Sequence, residues 1–250
     1  GLLQMDIRVG TALVDMYIKC GALSQANKVL KDLPIRDVIS WSALISGYAQ
    51  QGLGHEALKC FEQMQSEGLS PNVVTLICTL KACGSIGAIE RGKQIHEDIV
   101  GRCLLEKDTV IGNALVDMYV KCGALTKAQE VLEDLPLRTM VGWSALIAGH
   151  VQIGQCHEAL NCFEKMQSEG FCLDVVTFIC VLKACGDTGA VAKGKKIHLE
   201  IVGSGLLNTD IVLGNSLVDM YSKCGVLAEA RESLEELLVR DVVSWNALIS

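Results

Sequence analysis

The chain has 250 residues, of which 50% are apolar, 20% charged and 4% aromatic, and its formal net charge is −7. So much apolar surface excludes wholesale disorder, no apolar run reaches the roughly 18 residues of a membrane helix, and the negative balance argues against adhesion to nucleic acid through bulk positive charge. Twelve cysteines stand in a sequence with no secretory leader and no Asn-x-Ser/Thr acceptor, which reads as free thiols of a reducing compartment. Any address label is expected outside these residues.

An internal repeat organises the rest. Gly10-Thr11-Ala12-Leu13-Val14-Asp15-Met16-Tyr17 recurs at Gly112–Tyr119 and at Gly214–Tyr221, and Trp41, Trp143 and Trp245 keep the same 102-residue spacing. Residues 1–6 read as the tail of a motif, since Gly1-Leu2-Leu3 matches Gly205-Leu206-Leu207. Motifs of 31, 35 and 36 residues follow at 7–37, 38–72 and 73–108, and again at 109–139, 140–174 and 175–210. A further 31-residue motif occupies 211–241, and 242–250 start another. Each motif is expected to form two helices. In 38–72, Trp41, Leu44, Ile45 and Tyr48 follow an i, i+3, i+4, i+7 stripe, with Ser40 as the expected N-cap. Gln51-Gly52-Leu53-Gly54 breaks the first helix. Ala57, Leu58, Phe61 and Met64 form a second stripe, which Gly68 closes ahead of Pro71. Neither helix buries its stripe alone, so the expected architecture is an all-α solenoid of stacked helix pairs.

Catalytic and metal signatures are imitated without being completed. Gly87-Ala88-Ile89-Glu90-Arg91-Gly92-Lys93 and its copy from Gly189 approach a phosphate-binding loop, but lack the Ser/Thr for Mg²⁺ and follow a helix where a strand is needed. Gly52-Leu53-Gly54 imitates a dinucleotide fingerprint, and Cys156 spoils its copy. His55-Glu56 lacks the second histidine of a zinc helix. The cysteines are mostly in register (Cys20 with Cys122 and Cys224, Cys83 with Cys185, Cys78 with Cys180, Cys60 with Cys162) and form no Cys-x-x-Cys pair, so small buried side chains explain them better than metal ligands. His96 and His198 read as partly buried surface histidines. No cofactor, metal or small-molecule substrate is expected.

A solenoid presents one set of helices on its inner face. The expected first helices carry Lys19, Lys81, Lys121, Lys183 and Lys223 against Asp15, Asp117 and Asp219, whereas glutamates such as Glu62, Glu130 and Glu164 crowd the second helices. A mildly basic groove with an acidic back suits a polyanion guided to one face.

The sequence resembles the plant PLS class of pentatricopeptide repeat proteins over its whole length. The short motifs carry Asn113-Ala-Leu-Val-Asp-Met-Tyr-Val-Lys-Cys-Gly. The standard motifs carry Val243-Ser-Trp-Asn-Ala-Leu-Ile. The long motifs carry Leu182-Lys-Ala-Cys-Gly and Gly194-Lys-Lys-Ile-His. The resemblance implies a right-handed α-solenoid that binds single-stranded RNA in a chloroplast or mitochondrion, reading about one base per motif. Many such proteins specify C-to-U editing sites, and organellar RNA-editing-factor proteins are implied partners at long motifs. The deaminase-like extension is not in this sequence, so a binding module and not an enzyme is implied, with a protein-interaction scaffold as the alternative. The fifth and last residues of each motif are implied to face a base. Those pairs are Thr11/Asp37, Ser42/Asn72, Asn113/Thr139, Ser144/Asp174 and Asn215/Asp241, followed by Asn246. Ile77/Asp108 and Ile179/Asp210 are expected to discriminate poorly. The five lysines would meet phosphates. Val74, Val110, Val141, Val176 and Val212, second in their motifs, would either wedge between bases or pack in the core. The implied footprint, 5′ to 3′, is G-A-any-pyrimidine-G-any-U-pyrimidine.

Overall fold

The computed structural model describes residues 7–208, 210–237 and 239–249; the expected motif tail at 1–6 lies outside them. Among the described residues there are fifteen α-helices and no strand. The chain divides between Arg138 and Thr139 into two compact units.

The first unit holds α1 (Ile7–Lys19), α2 (Leu23–Asp32), α3 (Val38–Gln50), α4 (Gly54–Ser66), α5 (Val73–Ile86), α6 (Ile89–Gly101), α7 (Thr109–Lys121) and α8 (Leu125–Asp134). The odd-numbered members, the first helices of each pair, pack side by side in one layer: α1 on α3, α3 on α5, α5 on α7. Each second helix packs on its own first helix, and α2, α4 and α6 also pack on the first helix that follows. The second unit repeats the plan with α9 (Met140–Gln152), α10 (Cys156–Ser168), α11 (Val175–Thr188), α12 (Val191–Ser204), α13 (Ile211–Lys223), α14 (Leu227–Glu236) and α15 (Val242–Ile249). Its first helices α9, α11, α13 and α15 are again neighbours in series.

The apolar stripes become the core. Trp41, Leu44 and Ile45 on α3 are fully buried, and α4, which packs on α3, buries Ala57, Phe61 and Met64. Burying such side chains stabilises by roughly 1.5–3 kcal/mol each. First helices are buried beyond their stripe, because they are flanked on both sides: Ser40, Ser42 and Gly47 of α3 are buried too. Second helices keep one face in water, as their Glu- and Lys-rich sequences require.

The two kinds of helix begin differently. Asp37, not Ser40, caps α3: its carboxylate accepts from the Ser40 N–H at 2.8 Å, and Ser40 lies inside the helix. The expectation failed because any hydroxyl just before an apolar stripe imitates a cap, whereas the true cap must sit where the backbone is still extended. Asn72, Asp108, Thr139, Asp174 and Asp210 cap α5, α7, α9, α11 and α13 in the same way. Second helices have no side-chain cap. They follow a glycine in the left-handed region, such as Gly52 at φ +74°, and the next N–H, that of Leu53, returns to the Tyr48 carbonyl at 2.9 Å. This closure satisfies the first helix's last carbonyls and turns the chain in two or three residues.

The incomplete motifs are packing features. Gly87 and Gly189 are left-handed C-caps, and Gly92 and Gly194 lie within α6 and α12 where a Cβ would strike Met118 and Met220. Cys60, Cys83, Cys162 and Cys185 are buried; burial pushes the Cys60 thiol up to about 11 and those of Cys83 and Cys185 up to about 12. Such thiols stay protonated and inert. Cys20 departs from its register mates Cys122 and Cys224 and is exposed. His96 and His198 are half-buried, and each Nδ1 lies 3.0 Å from the hydroxyl of a buried tyrosine, Tyr119 and Tyr221.

Candidate functional site

The caps of the first helices are also the motif-final residues singled out in the sequence. Each therefore has a structural duty whatever else it does. The capping bond occupies one side-chain atom and leaves the other. In Asn72, Oδ1 accepts from the Thr75 N–H at 2.9 Å, which leaves Nδ2 as a donor. In Asp174, Oδ1 accepts from the Thr177 N–H at 2.8 Å, which leaves Oδ2 as an acceptor.

The fifth residue of the preceding first helix lies beside the cap, joined to it through the third residue of the capped helix. Ser42 is 2.5 Å from the Thr75 hydroxyl, which donates to Asn72 Oδ1 at 2.9 Å. Ser144 is 2.7 Å from the Thr177 hydroxyl, which donates to Asp174 Oδ1 at 2.5 Å. Thr11 is 3.0 Å from the Ser40 hydroxyl, which donates to Asp37. Asn215 donates through Nδ2 to Asp241 Oδ1 at 3.3 Å and accepts through Oδ1 from the Ser244 hydroxyl at 2.6 Å. The Ser244 N–H and hydroxyl hold the Asp241 carboxyl below the usual carboxylate range, so it is ionised at neutral pH. Four expected pairs are thus brought together, each with a third-position hydroxyl beside it; of these hydroxyls sequence reading singles out only Ser40, and that as a cap. Their signal was present: the third position holds Ser40, Thr75, Thr177 and Ser244 after a polar fifth residue. After Ile77 and Ile179 it holds the fully buried Ile111 and Leu213. Thr139 accepts from the Gly142 N–H through its hydroxyl at 3.3 Å, and Gly142 supplies no hydroxyl there. Asn113 is half-buried on α7.

The second-position valines do not pack in the core. Val74, Val110, Val141, Val176 and Val212 are all 56–59% exposed, which excludes the packing alternative. Ile39 and Val243, at the same place on α3 and α15, are exposed too and belong with them. Between α13 and α15, a cleft of about 500 Å³ is lined by Val212 and Val243 together with Asn215, Asp219, Asp241 and Asn246. Apolar and polar candidates therefore share one opening.

The five lysines are exposed but not equivalent. Lys19, Lys121 and Lys223 are ion-paired one turn back, to Asp15 at 2.7 Å, Asp117 at 2.8 Å and Asp219 at 2.9 Å, and Lys223 also reaches Asp187 at 3.4 Å. Lys81 and Lys183 make no ion pair among the described residues. The helix bounds add Arg8 and Asp187 to the first-helix charges, and these two cancel.

Comparison with known proteins places this geometry in a lineage. A sequence family described as the PPR repeat family matches residues 36–85 and 138–187, and the PPR repeat matches 113–138 and 215–242. A chloroplastic pentatricopeptide repeat-containing protein of Arabidopsis thaliana is 36% identical over 248 residues, 99% of this chain and 40% of that protein. A mitochondrial one from the same plant is 38% identical over 249 residues, 100% of this chain and 39% of that protein. The crystal structure of the pentatricopeptide repeat protein PPR10 in complex with an 18-nucleotide psaJ RNA element superposes with a TM-score of 0.78 at 18% identity, covering 98% of this chain and 37% of that one. The chain thus spans about two fifths of the length of the proteins it matches.

Proposed function

Because the chain belongs to the pentatricopeptide repeat proteins, we propose that it is a sequence-specific binding module for single-stranded RNA, reading about one base per helix pair. The observation that carries the proposal is the cleft between α13 and α15. Unstacked bases are recognised by apolar contact on their faces and hydrogen bonds along their edges. Val212 and Val243 offer the first, Asn215 and Asp241 the second. The likeness to PPR10, crystallised with an RNA element, supports RNA as the ligand class. Organellar relatives support a chloroplast or mitochondrion as the compartment.

The finer frame is proposed on the same footing. Short motifs at 7–37, 109–139 and 211–241, standard motifs at 38–72 and 140–174 and long motifs at 73–108 and 175–210 make a PLS-class array. It would serve as the specificity part of an RNA-processing or C-to-U editing factor, with the chain itself a binder and not a catalyst. Each polar pair would read one base, and Ile77 and Ile179 would leave the long motifs permissive.

The standard motifs test the reading. Ser144/Asp174 offers a carboxylate oxygen, which suits the two N–H donors of guanine. Ser42/Asn72 offers an amide N–H, which suits the adenine acceptor. Asn caps a helix about as well as Asp, so Asp174→Asn changes the edge and spares the fold. It should move the preference at the fifth base of the footprint from G toward A by about tenfold or more. Competition binding with RNAs differing only at that base measures it. Identical rankings in wild type and variant would make a protein-interaction scaffold the better account.

A further inference from the structure

We propose that the Thr177 hydroxyl, at the third position of α11, is a positioning group that sets which hydrogen-bonding edge the preceding Ser144/Asp174 pair presents. The inference rests on the base-reading proposal and adds to it a residue that touches no base.

Proton counting carries the argument. A hydroxyl has one proton to give and two lone pairs, whereas a carboxylate only accepts. Thr177 donates to Asp174 Oδ1, so toward Ser144, 2.7 Å away, its oxygen must accept. The Ser144 proton is thereby drawn inward, and Ser144 shows lone pairs outward beside Asp174 Oδ2. Two neighbouring acceptors match two neighbouring donors, which guanine alone among the four bases presents on its Watson–Crick edge. The Asn72 amide cannot be reversed, because Oδ1 faces the Thr75 N–H, a pure donor. Ser42 gives its proton to the Val38 carbonyl one turn back at 2.6 Å, so this pair shows the Asn72 N–H beside Ser42 lone pairs, the complement of adenine, without depending on Thr75. The Ser244 hydroxyl lies 2.6 Å from Asn215 Oδ1 and 2.9 Å from Asp241 Oδ1, and its one proton serves one of them at a time, while Asn215 Nδ2 reaches Asp241. The second Nδ2 proton and Asp241 Oδ2 remain, a donor at the fifth residue beside an acceptor at the cap, the complement of uracil.

At Ser144, which has no other hydrogen-bond partner among the described residues, the Thr177 hydroxyl removes a freedom. Without it the Ser144 proton could swing outward, and a donor at the fifth residue beside the Asp174 acceptor, the order shown by Asn215/Asp241, fits uracil as well. The site is dry enough for this to matter: Thr177 is 1% exposed and Thr75 fully buried. The same logic accounts for Ile111 and Leu213, which follow the apolar Ile77 and Ile179, where there is no proton to aim.

Thr177→Val on the full chain keeps the shape and the capping N–H and deletes the hydroxyl. It should narrow the G-over-U preference at the fifth footprint base by about threefold to tenfold, leave affinity for the G-containing RNA nearly unchanged, and spare preferences at the other bases. Thr177→Ser should restore the preference. Thr177→Ala is the second deletion of the hydroxyl, read the same way, should the first variant fold poorly. An unchanged G-to-U ratio in Thr177→Val, or an equal loss for all four bases, overturns the inference while leaving the base-reading proposal standing if Asp174→Asn still shifts the G-to-A ratio. If Asp174→Asn shifts nothing, both fall.

Discussion

Single side chains here hold two duties at once. Trp143 is 1% exposed on α9, and its indole N–H donates to Glu169 at 2.9 Å; Trp41 makes the same bond to Glu67, which also pairs with Arg36 at 2.9 Å. A buried indole needs such a partner, and the glutamate at the end of the second helix supplies it from within the same helix pair. The tryptophan thus ties its pair together by packing and by one directed bond. Trp143→Ala should cost about 3–5 kcal/mol. Urea unfolding followed by far-ultraviolet dichroism checks this, and a loss below about 1 kcal/mol would place the core elsewhere.

At the scale of elements, the joint between a long motif and the next helix pair has its own chemistry. His96 on α6 faces Tyr119 of α7 at 3.0 Å, with their rings edge to face, in a cleft that Lys93, Glu97 and Lys127 also line. Burial, aided by the Lys127 charge, pulls the His96 imidazole below its ordinary pKa. The unfolded chain therefore binds the proton more readily than the folded one. The stabilising contribution is complete above the free histidine value of about 6.5 and is lost as pH falls from there through the lowered folded value. His96→Gln keeps a polar partner for Tyr119 and removes the titration. Between about pH 7.5 and 5.5 the variant should lose less stability than the wild type. Equal losses in paired urea titrations would mean that the ring titrates as it does in water.

Across the whole molecule, a net charge of −7 coexists with a proposed ligand class, RNA, that is itself negative. Local arrangement resolves the conflict. Aspartates one turn back already neutralise Lys19, Lys121 and Lys223, so most of the electrostatic attraction falls on Lys81 and Lys183. Replacing both with Gln should weaken all RNA sequences alike. It should also flatten the slope of log affinity against log salt by about 1.4, at about 0.7 for each phosphate no longer neutralised. Titrations at several salt concentrations measure the slope, and an unchanged slope would remove these lysines from the path of the RNA. Within each of the two units, helix pairs pack on their neighbours in sequence, so stability there should accumulate pair by pair.

Repetition made much of this legible in sequence. The 102-residue recurrence, the stripes led by Trp41 and Trp143 and the punctuating glycines are local or periodic features, and the helices follow from them because apolar spacing and glycine backbone freedom act over one or two turns. The same register brought out the polar fifth residues and the exposed Val74, Val110, Val141, Val176 and Val212. What sequence left open depends on which atoms meet after folding. It could not decide between core and surface for those valines, because exposure is set by the neighbouring helix. It named Ser40 as a cap, although Asp37 holds that place and Ser40 relays to Thr11. It treated five lysines as one set, although three are spoken for by aspartates on their own helices. Above all, tertiary packing brings Thr75, Thr177 and Ser244 between residues about thirty positions apart. The direction of a hydroxyl proton is fixed by both of its neighbours in space, and a linear pattern names only one of them.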